Sequence, residues 1–131
     1  MLVSKWEPTA REWHFRVFAD GNLELEFGNP MGEIQGNANG IVPLGDLDQW
    51  HHYAATFDRG TIHLYMDGKE IPIRVSSGTI PKAVNLLQSD IHIGSDQDPA
   101  ISWKGDVDEF EYLSQAKSAA WMSAVYETQK P

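Results

Sequence analysis

The feature that most restricts this chain is an apolar–polar alternation with a period of two. In Trp13-His14-Phe15-Arg16-Val17 the apolar residues are separated by polar ones, and after Asp20-Gly21-Asn22 the same pattern returns with Leu23, Leu25 and Phe27 around Glu24 and Glu26. A period of two sends successive side chains to opposite faces of an extended strand. Asp-Gly-Asn supplies residues that tolerate positive φ. The stretch therefore reads as a β-hairpin with one apolar and one polar face.

The pattern continues downstream. Tyr53, Ala55 and Phe57 alternate with His52, Ala54 and Thr56, with Trp50 opening the strand. Asp58-Arg59-Gly60 turns the chain, and Ile62, Leu64 and Met66 alternate with His63, Tyr65 and Asp67. Asp67-Gly68 predicts a type I′ turn into a third strand, Lys69 to Val75, interrupted by Pro72. Asp90 to Gly94 is a further short strand, Ser95 to Pro99 a polar loop, and Asp106 to Leu113 a closing strand. Gly28 to Gly45 is rich in Gly, Asn and Pro and reads as a long loop with one short strand near 33–35. Only the tail changes period: Ser118 can cap a helix that aligns Trp121, Met122, Val125 and Tyr126. Roughly eight short strands and one terminal helix describe an antiparallel sandwich, and no repeat or domain boundary interrupts residues 1–131.

The chain has 131 residues and a net charge of −9. An acidic domain without a dense Lys/Arg cluster repels phosphate, so neither nucleic acid nor an anionic membrane surface is an expected partner. The absence of cysteine removes disulfides, thiolate zinc sites and cysteine nucleophiles. No apolar run is long enough to span a bilayer. The opening MLVSKWEPTA lacks the basic and apolar regions of a signal peptide. These features suit either a cytoplasmic protein or a fragment of a larger exported one.

The densest polar stretch, Trp50 to Gly68, holds His51, His52 and His63. Adjacent strand residues point to opposite faces, so His51 and His52 cannot converge on one ion, and no third ligand accompanies them. The stretch reads as scaffold, and no metal site is expected.

Three segments in register resemble the LamG-like (laminin G-type) branch of the concanavalin A-like lectin/glucanase superfamily. They are Trp50 through Asp58 with Gly60 and Tyr65-Met66-Asp67-Gly68; Ile93-Gly94 with Lys104-Gly105-Asp106-Val107-Asp108-Glu109-Phe110; and the Trp- and Tyr-containing helix from Ser118 to Gln129. The resemblance implies an all-β, two-sheet jelly-roll sandwich with a short C-terminal helix. It is a poor guide to ligand, because the fold hosts lectins, adhesion modules and hydrolases. Relatives usually carry one or more strands before the segment matching Leu2 to Trp6. An open edge is therefore expected there, coverable by a second copy of the chain in a homodimer.

Hydrolases of the superfamily use an E-x-D-x-E strand. Here Asp106, Asp108, Phe110 and Val107, Glu109, Glu111 form the two faces, and neither provides that acid set. Glu24-Leu25-Glu26 reads as a solvated strand face, so the chain is expected not to be an enzyme. The resemblance also suggests Asp108 as ligand of a structural calcium. The plainer reading, a local cap, is favoured, and no cofactor is expected. The remaining chemistry is non-enzymatic recognition, with carbohydrate as the ligand class that the resemblance implies. It needs an aromatic platform and planar polar groups. The candidates are His14, Arg16 and Phe18 on the outer face of the first hairpin, Asn37 and Asn39 in the glycine-rich segment, and Trp103 in a polar loop. The alternative is a protein–protein assembly module.

Overall fold

The computed structural model describes residues 1–42, 49–96 and 98–130. Among the described residues nine strands and one α-helix follow one another: β1 (Val3–Glu7), β2 (Ala10–Val17), β3 (Asn22–Gly28), β4 (Ile34–Ile41), β5 (Tyr53–Asp58), β6 (Thr61–Met66), β7 (Lys69–Ile71), β8 (Arg74–Gly78), β9 (His92–Ile93) and α1 (Ala119–Gln129). They form a six-stranded antiparallel sheet in the order β8-β4-β3-β2-β1-β9 and a three-stranded sheet in the order β5-β6-β7. This is the two-sheet sandwich with a terminal helix that the alternation implies.

The first hairpin sets the register of the large sheet. Trp13 faces Phe27, His14 faces Glu26, Phe15 faces Leu25, and Arg16 faces Glu24. Phe15, Leu23, Leu25, Phe27 and Ala38 join Ile62, Leu64 and Met66 of the second sheet in one buried cluster. Alternation thus decides which face of each strand meets the core.

Turn chemistry places the second sheet as expected. Arg59 and Gly60 have φ of 46° and 93°, and Asp67 and Gly68 have φ of 52° and 72°, the paired left-handed residues that a type I′ hairpin demands. The Asp67 carboxylate accepts from the His52 amide at 3.0 Å and pairs with His51 Nδ1 at 2.9 Å. It pins the entry to β5, which begins at Tyr53 rather than at the exposed Trp50. His63 pairs separately with Glu70, and the His52 ring tilts against Tyr126, so the three rings have different neighbours. Pro72 does more than interrupt a strand. It separates β7 in one sheet from β8 in the other, because its missing N–H ends the first ladder.

Three sequence expectations need correction. Residues 34–41 of the Gly/Asn-rich segment are a strand, paired on both sides by β3 and β8. Its glycines are there for close approach: a Cβ at Gly36 would lie 2.6 Å from the Thr79 carbonyl oxygen, and one at Gly40 would lie 2.7 Å from that of Pro72. Residues 43–45 of the expected loop lie outside the described residues. Second, 106–113 is not a strand. It runs as exposed irregular chain, with Glu109 in the left-handed region at φ 52° breaking the extended run. Third, the edge of β1 is not fully open, since β9 pairs with Val3 and Ser4.

The helix matches its expected bounds. Ser118 Oγ accepts from the Trp121 amide, and Met122 is buried while Trp121, Val125 and Tyr126 are half-buried. Gly68 lets the helix approach, with Tyr126 and Ser123 around it.

Candidate functional site

The opposite face of the large sheet carries polar side chains, and its centre is buried as well. Sheet register lines up Ser4, His14, Glu26, Asn37 and Ser77 in one row, with Arg16, Glu24, Asn39 and Arg74 in the next. His14 is 2% exposed, and Glu24 and Glu26 are each 4% exposed. The expectation that Glu24 and Glu26 form a solvated face is therefore wrong. Long side chains packed side by side over four strands exclude water from one another, and mutual pairing replaces hydration.

The pairing is dense. Arg16 donates to Glu24 Oε1 through Nε at 2.9 Å and places Nη2 2.8 Å from the same oxygen. Asn37 Nδ2 donates to Glu26 Oε1 at 3.1 Å. Ser76 Oγ donates to Asn37 Oδ1, and Arg74 Nε donates to Asn39 Oδ1 at 3.3 Å. His14 Nε2 lies 3.2 Å from Glu26 Oε2 and 3.7 Å from Glu24 Oε1, but neither ring nitrogen makes an aligned hydrogen bond. Burial alone would raise the Glu26 pKa. The polar contacts from His14 and Asn37, with Arg16 nearby, outweigh it and hold the carboxyl below its ordinary value.

Aromatic groups border the rows. The Arg16 guanidinium stacks over Phe18 at 4.4 Å from the ring centroid, and Phe18 is 38% exposed. Trp6 tilts against His14 with centroids 4.3 Å apart, and Arg11 lies over Trp6.

Five of the six residues singled out in the sequence, His14, Arg16, Phe18, Asn37 and Asn39, thus share one face. Trp103 does not. It is half-buried, donates Nε1 to the Asp106 carbonyl at 3.3 Å, and lines a cavity of 790 Å³ on the apolar side of the large sheet, with Phe15, Tyr53 and Phe110. Asp108 lines the same cavity, and its Oδ1 accepts from the Glu109 amide at 2.9 Å. Among the described residues it belongs to no group of three side-chain ligands near enough to share an ion. Within the polar loop Ser95 to Pro99, Gln97 lies outside the described residues.

Glu24 and Glu26 are the members that sequence reasoning missed. The readable clue is the hairpin register itself: a turn centred on Asp20-Gly21 sets His14-x-Arg16 opposite Glu24-x-Glu26, two bases against two acids.

Among solved structures, one similar chain is the 2.1 Å crystal structure of an S-layer domain-containing protein (residues 221–444) from Clostridium thermocellum. It is 16% identical with a TM-score of 0.44, over 92% of this chain and 59% of that one. The present chain thus spans about three fifths of that structure's length. No curated protein sequence matches it. The Laminin_G_3 model, described as concanavalin A-like lectin/glucanases superfamily, matches residues 2–123. With that match over nearly its whole length, on a two-sheet sandwich closed by a helix, the chain belongs to the Laminin_G_3 family of the concanavalin A-like lectin/glucanase superfamily.

Proposed function

We propose that the protein is a non-catalytic recognition module that binds carbohydrate on the polar face of its six-stranded sheet. One observation carries this reading: Arg16, Asn39 and Arg74 form a row of planar polar groups with the more exposed Phe18 under the Arg16 guanidinium, and the half-buried Trp6 packs on His14 in the neighbouring row. Sugars are held by this combination, an aromatic surface for the apolar face of the ring and fixed planar donors and acceptors for its hydroxyls. Arg16 is anchored on Glu24, so little side-chain entropy remains to be lost on binding.

The carboxylate pair supports recognition over hydrolysis. A glycosidase needs one carboxyl held protonated to donate to the leaving group. Glu26 is instead held below its ordinary pKa, and Glu24 is engaged by Arg16.

The test is a glycan array probed with wild-type protein, Phe18→Ala, Asn39→Ala and Trp103→Ala. The reading expects a glycan hit lost in the first two variants and kept in the third. A blank array from folded wild-type protein overturns it, as does turnover of a glycan that Glu26→Gln abolishes.

A second reading rests on the other side of the molecule. Val107, Phe110, Tyr112 and Leu113 are 40–60% exposed, and β5 is the edge strand of the small sheet. An assembly module would bury both against a second copy. Light scattering that shows a dimer broken by Leu113→Asp, together with a blank array, would favour it.

A further inference from the structure

We infer that His14, Glu24 and Glu26 form a binding site for one divalent transition-metal ion of the zinc type. Among the described residues, this is a group of three ligand atoms lying within 4.8 Å of one another, and all three residues are buried. The site goes beyond the carbohydrate reading and does not depend on it.

Geometry is the first argument. Zinc bonds imidazole nitrogen and carboxylate oxygen at about 2.0–2.2 Å, which separates neighbouring ligands of a tetrahedral ion by about 3.4 Å. The His14 Nε2 distances to Glu26 Oε2 and Glu24 Oε1, 3.2 Å and 3.7 Å, bracket that separation. The second argument is the histidine itself. Its side chain is 3% exposed, it points Nε2 between two carboxylates, and it makes no aligned hydrogen bond through either nitrogen. Its contacts with the two carboxylates, at 3.2 Å and 3.7 Å, are unaligned, and an ion between Nε2 and the carboxylates would give the buried ring a directed bond.

The surrounding groups suit a metal shell. Asn37 holds Glu26 through Oε1 and leaves Oε2 directed at His14. Arg16 holds Glu24 from the side. A carboxylate oxygen has two lone pairs, so Glu24 Oε1 can keep the Arg16 Nε bond and bond an ion once Nη2, 2.8 Å away, turns aside. Outer contacts of this kind orient ligands in metal sites generally. Arg16 Nη2 lies 2.8 Å from Glu24 Oε1 and 3.9 Å from Glu26 Oε2, so one cation serves two carboxylates and one negative charge remains for an ion. Three protein ligands leave a fourth position, and the most exposed member of the cluster beside it is Arg16, whose side chain is 22% exposed.

The experiment titrates chelator-treated full-length chain with Zn²⁺ by calorimetry and with Co²⁺ by visible absorbance. A one-to-one saturable uptake with a rise in Tm is expected, weakened by at least about tenfold in His14→Gln and in Glu26→Gln. His51→Ala and His63→Ala, which alter the surface histidines, should bind as wild type does. Imidazole ¹⁵N NMR of the wild-type protein reads the metallation of His14 without any substitution, so the test survives a variant that fails to fold. Absence of saturable uptake by wild type overturns the site, as does uptake that moves no His14 resonance or that is lost in His51→Ala or His63→Ala.

Discussion

The two faces of the six-stranded sheet are made by alternating residues of the same hairpin, and on that hairpin both hold buried side chains. On one, Leu23 is 0% and Phe27 1% exposed; on the other, His14 is 2% and Glu24 4% exposed. The apolar face is stabilised without direction, by removal from water and close packing. The polar face is held by specific partners: Arg16 on Glu24, Asn37 on Glu26, Ser76 on Asn37. A lost contact on the first face leaves a cavity. A lost partner on the second leaves a charge. The groups of the polar face are consequently fixed in direction as well as in place, which is the property the proposed recognition needs.

The sharpest way to press the comparison is to truncate one residue on each face. Phe27→Ala should cost about 4 kcal/mol, the transfer term plus an unfilled cavity between the sheets, read as a lowered denaturation midpoint at unchanged slope. Arg16→Ala should cost about 3 kcal/mol although Arg16 is partly exposed, because Glu24 and Glu26 then share a buried site without their cation. The faces differ in their rescue. Arg16→Met combined with Glu24→Leu should recover most of the Arg16→Ala loss, as a double-mutant cycle would show. If the double variant is no more stable than Arg16→Ala, the ion pair is not what organises that face.

The same comparison shows what the sequence makes legible. The strands β2, β3, β5 and β6 and the turns between them are readable because each rests on local rules: period two, Asp-Gly turns, and Pro72 as a breaker. The core face followed directly. The polar face was read only in part. Alternation says that His14 and Glu24 lie opposite the core, but not that four neighbouring strands bury them, since burial there depends on pairing across β4 and β8. That pairing was hidden because glycine and asparagine in 34–41 look like loop when only local propensity is weighed. Here the glycines admit neighbouring backbone, and Asn37 and Asn39 are paired polar side chains. The run 106–113 failed for the opposite reason: its alternation is strand-like, yet Glu109 adopts a left-handed backbone. Trp103 was grouped with His14 by chemistry alone, and nothing local reports which side of a sheet a distant loop reaches.

Acid should separate the faces next. Glu26 sits below its ordinary value of 4.5 when folded, so its ionised form stabilises the fold. That contribution is complete above pH 4.5 and is lost as pH falls through the folded value. Glu12, also held low by Lys5 and Ser89 against its burial, acts in the same direction. Melting temperatures from pH 7 to pH 3 should therefore fall less steeply in Glu26→Gln than in wild type. Identical acid limbs would mean that Glu26 is not stabilised as a carboxylate. A smaller effect belongs to the helix, where Ser118→Ala should remove about 1 kcal/mol with its cap.

The smallest effect tests where the apolar face stops. Val107 is 46% exposed on the irregular run beside the cavity, whereas Leu64 on β6 is fully buried against the large sheet. If 106–113 lies outside the packed core, Val107→Ser should change stability by no more than about 0.5 kcal/mol, while Leu64→Ala costs about 3 kcal/mol. A loss near 1.5 kcal/mol in Val107→Ser would mean that this run packs onto β5 as a strand in solution. The cavity would then be closed, and the polar face would be left as the binding surface without a rival.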